Sequence, residues 1–299
     1  MEKASIFDMF ASIEPLDKGL SGDKKYCATA KDGTKHYLRI MSTDKYGECK
    51  RQVEVLEQAA RVGVPIAQVI NFGICTDGVY MVHSWIDGED LELVLPKLSE
   101  TEQYKMGIKA GEMLRLLHTI PAPTDADKWE TDYNCKADRN IKTYTNSDFK
   151  YDSGENFVKY INDHRYLLKN RPQSLKHNDF TIRNIMTNGD GLAMVDFDIT
   201  NYGDPWEDFK RTVLNAELSP HFTTGQVDGY FGSDIPPNFF KMLALYVAVT
   251  YIHVLPWAIT VNQEQFDYMT KVLKNISLWF DNMTNPVPTW YVKSVVLNE

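Results

Sequence analysis

The sequence predicts an α+β protein of two lobes, the first rich in strands and the second mostly helical. Three observations predict it. Residues from about 15 to 85 carry short alternating runs around one helical segment. After Ile86-Asp87-Gly88-Glu89-Asp90 the apolar spacing becomes that of helices. Within the helical part, Lys176–Asp198 gathers polar side chains on either side of a tight turn. The lobe boundary is expected near residue 86, giving lobes of 1–86 and 87–299.

In the first lobe, Lys18-Gly19-Leu20-Ser21-Gly22-Asp23-Lys24-Lys25-Tyr26 places two glycines and a serine before the run Tyr26–Ala30. Glycines at such a place let backbone N–H groups approach a phosphate, although ordinary surface turns share the composition. Lys31-Asp32-Gly33-Thr34 then joins this run to His36–Met41 in a hairpin. Tyr46–Arg61 is helical, with Val53, Leu56 and Ala60 at helical spacing, and Gly63 and Pro65 end it. Val69–Gly73 and Val79–Trp85 are two further strands across the turn Thr76-Asp77-Gly78. The order is strand, strand, helix, strand, strand.

In the second lobe, Thr101–Thr119 is a helix with Ser99 as cap and Glu102 completing a capping box. Ile108, Gly111, Leu114 and Leu117 share one face of it. Residues 120–153 are rich in Pro, Asp and Asn and are expected to be irregular or loosely helical. Phe157–Asn170, 206–217, 236–259 and 263–282 read as helices, and the prolines of Asn285–Tyr291 keep that tail extended.

With 299 residues the chain can bury a sizeable core, and 43% hydrophobic with 24% charged residues is ordinary for a globular protein. A net charge of −9 argues against nucleic acid and against an anionic membrane as partners, and is compatible with a cationic small molecule. Cys27, Cys49, Cys75 and Cys135 form no C-x-x-C and no zinc spacing. They read as free thiols of a cytoplasmic protein, and the N-terminus has no apolar signal region. The most apolar stretch, Phe239–Ile259, is interrupted by Lys241, His253 and Pro256, so a buried helix is expected there and not a membrane span.

His177, Asp179 and Asn184 precede the turn Asn188-Gly189-Asp190-Gly191; Asp196 and Asp198 follow the apolar run Leu192–Val195. Phosphoryl transfer needs a group on the acceptor hydroxyl, oxygen ligands for magnesium, and donors for the phosphates. Asp179 suits the first task. Asn184 and Asp196 offer the oxygen ligands that magnesium prefers. His177 suits a brace for the loop. Taken singly, each of these residues is most often a cap, a turn or a solvated strand end. Their joint order carries the reading.

H-N-D-F-T-I-R-N followed by M-V-D-F-D resembles the catalytic segment of the aminoglycoside phosphotransferase family, small-molecule kinases related to protein kinases. K-G-L-S-G-D-K-K-Y resembles that family's nucleotide loop, Y-L-R-I its third strand, and G-D-P-W-E-D-F the motif after its metal-binding aspartate. The resemblance covers residues of about 15–280 in matching order. It implies a protein-kinase-like fold: an N-lobe of five antiparallel strands and one helix, a hinge, and a helical C-lobe.

By the same resemblance Asp179 is the catalytic base with His177 beside it. Asn184 and Asp196 hold Mg2+, with Asp198 as a neighbour that assists the metal or a positive substrate group. Ser21 and Gly22 lie in the nucleotide loop. Ser84 and Ile86 lie at the hinge, where backbone meets the base of ATP or GTP. Arg39 stands where kinases usually carry a lysine, with Lys24 and Lys35 as spare cations. Glu54 is chosen over Gln52 as its helix partner, because a desolvated cation favours a carboxylate.

The acceptor is expected to be a small hydroxylated molecule, cationic and aminoglycoside-like. Acidic candidates for it are Asp125, Asp127, Glu130, Asp132, Asp148, Asp152 and Glu155; Trp129, Trp206, Trp257 and Tyr251 are aromatic ones. The alternatives are a metabolic kinase of choline, homoserine or a sugar, and a binding protein without turnover. Intact Asp179, Asn184 and Asp196 argue against the last.

Overall fold

The alternating runs build one antiparallel sheet in the computed structural model, which describes residues 5–17, 22–124, 126, 128–189, 191–232 and 234–292. Its elements are β1 (Ser12–Pro15), β2 (Lys24–Thr29), β3 (Lys35–Met41), the helix α1 (Tyr46–Arg61), β4 (Val69–Cys75) and β5 (Gly78–Ser84). The sheet order is β1-β2-β3-β5-β4. In β3 the period of two separates two faces. Leu38 and Ile40 join Ile6, Ala28, Cys75 and Val82 in a core on one side. Arg39 and Met41 face the other side, where Met41 Sδ lies 3.2 Å from Cys49 Sγ of α1. Arg39 therefore emerges on the α1 face, away from the apolar core. The hairpin between β4 and β5 turns on Gly78, whose φ is +136° and where a Cβ would stand 2.2 Å from the Met41 carbonyl oxygen.

The chain continues through β6 (Glu89–Asp90), α2 (Leu91–Val94), α3 (Glu100–Leu117), α4 (Trp129–Asn146), α5 (Gly154–His164), β7 (Ser174–Lys176), β8 (Ile185–Thr187), β9 (Leu192–Met194) and β10 (Asn201–Gly203). It closes with α6 (Thr212–Leu218), α7 (Pro220–Phe231), α8 (Phe239–Tyr251), α9 (Val254–Val261) and α10 (Gln263–Trp279). The fold is thus α+β, with a five-stranded antiparallel sheet in the first lobe and helices dominating the second.

Two compact units result. The first comprises the residues up to Asp90 together with Ile185–Asp198; the second comprises Leu91–Asn184 and the chain from Ile199. Within the first unit, the hairpin β8–β9 pairs with β6. The Met194 N–H also donates to the Pro65 carbonyl at 2.8 Å.

In the second unit the Ser99–Glu102 capping box forms as read from the sequence. The helix it opens, α3, lies against α7 at backbone contact distance. A Cβ on Gly107 would stand 2.1 Å from the Phe222 carbonyl oxygen, and one on Gly225 2.2 Å from that of Tyr104. Gly111 and Gly229 repeat the arrangement one turn along.

Two expectations change here. Residues 120–153 hold a full helix, α4, whose buried stripe is Tyr133, Ala137, Asn140 and Tyr144. A buried asparagine hides that stripe from an apolar count; its Nδ2 donates to the Val249 carbonyl at 2.8 Å. Residues 220–231 form α7, a helix not expected from a segment with two glycines and two threonines. The apolar stretch Phe239–Ile259 is two helices, α8 and α9, bent by 44°, with α8 buried along nearly its whole length. Among the described residues no single helix is long and apolar enough to cross a membrane. All four cysteines are free.

Candidate active site

The segment after β7 is a loop pinned by one buried carboxylate. Asp208 accepts from the backbone N–H of His177 at 2.8 Å and of Asn178 at 2.6 Å. His118 Nε2 lies 3.0 Å from the same carboxylate. Burial works against ionisation of Asp208, but the His118 hydrogen bond and nearby lysines outweigh it and hold its pKa below the usual carboxylate range. Asn178 has a φ of +71°, which asparagine tolerates better than most residues. Its side chain is tied at both ends, Oδ1 accepting from Lys210 Nζ at 2.5 Å and Nδ2 donating to the Ile199 carbonyl at 3.2 Å.

A second buried group braces the start of the loop. Glu207 is 1% exposed and takes Lys176, Lys136 (2.8 Å) and Lys210 (3.2 Å). Lys176 also lies over the Trp129 ring, 4.5 Å from its centroid. Burial would raise the Glu207 pKa; the three lysines overcome it and hold the carboxyl well below its ordinary value. A carboxylate with a depressed folded pKa stabilises the fold above its unfolded pKa, and that contribution is lost as pH falls through the folded value. Urea midpoints are therefore expected to drop as pH falls below about 4.3, the unperturbed glutamate value. Glu207→Gln is expected to lower the midpoint at pH 7 and flatten the acid slope. An unchanged slope in that variant would remove Glu207 from the acid-sensitive set.

On this braced loop, Asp179 and Asn184 stand together. Asn184 Nδ2 donates to the Asp179 carbonyl at 2.8 Å and to its Oδ2 at 3.2 Å. That commits the amide nitrogen to the loop and leaves Oδ1 as the available donor atom, the one a hard cation requires. The His177 side chain is buried and packs edge-on against Phe180, 5.8 Å between centroids, which suits a brace. Asp179 Oδ1 lies 2.9 Å from Arg211 Nε.

The other site residues read from the sequence lie in the first unit. Arg39 donates through Nε to Asp23 Oδ2 at 2.9 Å, and through Nη1 and Nη2 to Asp198 at 2.5 and 2.6 Å. Its Nη2 also meets Asp23, whose other oxygen takes Lys45 at 2.9 Å. Burial acts against the charged guanidinium, but Asp198 and Asp23 outweigh it and raise its pKa. Gln52 donates to Asp198 at 2.8 Å. Glu54, expected as the partner of Arg39, is exposed and does not meet it. The reason is helical geometry. Two residues along α1 is a rotation of about 200°, so if Gln52 faces Asp198, Glu54 faces solvent. The ion pair expected from α1 is replaced by carboxylates from the β2 side and from the β9 side.

Asp198, expected beside the metal, has both oxygens taken by Arg39 and Gln52. Asp196 is exposed and holds a φ of +66°, a strained backbone for a residue other than glycine. Ser84 closes the end of β5, its Oγ accepting from the Gln68 N–H at 2.8 Å, and Ile86 is half-buried just beyond. Burial pushes the pKa of neighbouring His83 down to about 4, so this part of the strand carries no charge at neutral pH. Ser84, His36 and Trp85 help line a cavity of about 300 Å³. Gly22 has a φ of +67°, while Ser21 lies outside the described residues, as do Lys18–Leu20, Asp125, Asp127 and Asp190.

Of the acceptor candidates, Glu130, Asp132, Asp148, Asp152 and Glu155 are exposed. Trp206 stacks under Arg171, 3.8 Å from ring centroid to guanidinium carbon, and Trp129 packs on Tyr133, so both are structural. Tyr251 is buried, and Trp257 is half exposed.

Among the described residues no group of three His, Cys, Asp or Glu side chains converges as a metal cage. Magnesium needs no such cage, since it keeps waters and takes one or two protein oxygens with substrate phosphates. Within the second unit Asn184 Oδ1 is an oxygen of that kind, and within the first unit Asp196 carries an exposed carboxylate. The sequence reading missed Asp208, Glu207 and Arg211 as individuals. All three lie in or next to G-D-P-W-E-D-F, and the signal was the string of acidic and basic residues in a segment otherwise built to be buried.

Residues 12–242 match the model of the phosphotransferase enzyme family. No curated protein sequence matches the chain. Several solved structures share the fold. The GDP complex of aminoglycoside 2'-phosphotransferase-IIIa superposes with a TM-score of 0.68 at 14% identity, over 89% of this chain and 92% of that one. A thermostable mutant of aminoglycoside phosphotransferase APH(4)-Ia with ADP and hygromycin B gives 0.66 at 16% identity, over 90% and 94%. The gentamicin complex of APH(2")-IIa gives 0.61 at 16%, over 89% and 91%.

Proposed function

The chain belongs to the phosphotransferase enzyme family and is a small-molecule kinase of it, and we propose that it moves the γ-phosphoryl group of ATP or GTP to a hydroxyl of an aminoglycoside-like acceptor. The observation that carries the reading is the Asp179–Asn184 pair on a loop whose backbone donors end on the buried Asp208. Rigid placement of the reacting groups is what phosphoryl transfer asks of a protein.

In this reading the acceptor hydroxyl gives its proton to the Asp179 carboxylate as its oxygen bonds to the γ-phosphorus. The bond from that phosphorus to the β–γ bridging oxygen breaks, and the nucleoside diphosphate leaves. Asn184 Oδ1 and Asp196 would hold magnesium, which would supply positive charge for the phosphate oxygens. His177 supports the loop from beneath. Ser21 and Gly22 meet the phosphates, and Ser84 and Ile86 the nucleobase. Arg39 holds phosphates in exchange for Asp23, while Asp198 keeps its grip on the guanidinium. Nucleotides in the related structures, GDP and ADP, support the donor class. Hygromycin B and gentamicin, bound in two of them, support the acceptor class.

One consequence concerns Asp23. It competes with phosphates for Arg39, so Asp23→Asn is expected to tighten nucleotide binding by about fivefold, roughly the 1 kcal/mol scale of one ion pair. Isothermal titration with magnesium ADP and GDP measures it. Weaker binding would mean that Asp23 organises Arg39 for the phosphates.

The test of the function is a screen of ADP or GDP release with magnesium over gentamicin, hygromycin B, streptomycin, choline and homoserine. Turnover on an aminoglycoside, with raised resistance of a host expressing the chain, supports the reading. Turnover on choline or homoserine alone moves the chain to the metabolic kinases. Nucleotide binding with no transfer to any acceptor sinks it.

A further inference from the structure

Asp179 is held from two sides within the second unit. Asn184 donates to Oδ2. Opposite, Arg211 Nε stands 2.9 Å from Oδ1, with 26% of the arginine side chain and 33% of the aspartate side chain exposed. Arg211 ends the 3-10 turn Pro205–Arg211, the same turn that supplies Glu207 and Asp208 to the loop. Its guanidinium is backed by Tyr251 of α8, which is 1% exposed. Burial disfavours the charge, yet Tyr251 and Asp179 outweigh it and raise the Arg211 pKa. The cation is therefore permanent and is kept at the aspartate by buried structure.

A carboxylate with one hydrogen-bond partner can swing about its last torsion, which is broad. A fixed cation 2.9 Å from the opposite oxygen restrains that swing by charge attraction, although its Nε makes no hydrogen bond there. We propose that Arg211 is a positioning residue for phosphoryl transfer, holding the Asp179 carboxylate at the angle from which it takes the acceptor's proton. The proposal rests on Asp179 being that base. It assigns the turn Pro205–Arg211 a second task. Asp208 fixes the loop's backbone, and Arg211 fixes the reacting side chain. A positioning role predicts a loss in kcat with binding intact, because misplacement by about 1 Å costs on the order of 100-fold in rate and leaves both substrates their contacts.

The test uses the full chain with whichever of gentamicin, hygromycin B, streptomycin, choline or homoserine it phosphorylates. Arg211→Gln, which removes the charge but keeps a donor, is expected to lower kcat by roughly 10- to 100-fold with both KM values within about threefold. Arg211→Lys is expected to recover a large part of that loss, since an ammonium can still reach the carboxylate. Folding is followed by thermal melting. The proposal is overturned if Arg211→Gln keeps kcat within about twofold, if its loss appears in KM, if Arg211→Lys recovers nothing, or if neither variant folds. Asp179→Asn separates the two layers. Full turnover in that variant removes the base and the proposal with it. An inactive Asp179→Asn beside a fully active Arg211→Gln removes the proposal alone.

Discussion

Asp179→Asn is expected to leave the chain folded and its phosphoryl transfer lower by roughly 10²–10⁴-fold, the usual contribution of a positioned general base. The variant keeps the size of the side chain and an oxygen that can accept from Arg211 or Asn184, so the loop geometry survives. Its ion pair with Arg211 is a third exposed, and such pairs stabilise by about 1 kcal/mol or less. The melting temperature should therefore move little while turnover collapses. Nucleotide affinity, read by titration with magnesium ADP, should stay within a few-fold of the parent. A variant with undiminished turnover would transfer the base role to another residue; one that fails to fold would make the ion pair structural.

Gly225→Ala is expected to cause a large loss of stability. The new Cβ would stand 2.2 Å from the Tyr104 carbonyl oxygen, and 3.0 Å from the Ile108 nitrogen. Ordinary carbon–oxygen contacts begin near about 3.3 Å, so the two backbones must part by about 1 Å. That separation breaks the neighbouring contacts at Gly107, Gly111 and Gly229. Overpacking of this kind costs about 3 kcal/mol or more, against which the better helix propensity of alanine returns about 1 kcal/mol. Gly47→Ala is the control, since Gly47 is exposed on α1 with no atom within 4 Å of its added Cβ. It should be neutral to stabilising. Urea denaturation of the two variants side by side decides the matter, and equal midpoints would show that α3 and α7 can slide apart freely.

These two sites also mark what could be read from the sequence and what could not. The stretch Lys176–Asp198 stood out because phosphoryl transfer asks for particular residue types at particular spacing. Four strands of the N-terminal sheet were legible from short runs bounded by turn residues, though β1 was not, and α3 was legible because its cap is explicit. α7 was not. Its glycines lower helix propensity, and the reason for them is the α3 backbone, which lies over 100 residues earlier in the chain. Nor was the partner of Arg39 legible. Choosing between Gln52 and Glu54 by charge ignored that only one of them faces the sheet, and that Asp23 and Asp198 already supply the carboxylates. Asp208 and Arg211 escaped for a related cause. Their meaning lies in what they touch around residues 177–179, about 30 positions upstream.

The return of Ile185–Asp198 to the first unit has a consequence for how the protein is made. The Pro65 carbonyl waits for the Met194 N–H, and Glu89 and Asp90 wait for Thr187 and Met186. Synthesis runs from the N-terminus at about 5–20 residues per second, so the five-stranded sheet leaves the ribosome several seconds before β9, which Pro65 and Ile66 meet, exists. During that interval Ile66, which later bridges to Met194, lacks its cover. The N-terminal unit therefore completes its folding only after much of the other unit has been synthesised. A ribosome stalled before residue 194 should display a sheet that proteases cut near Val64–Ile66.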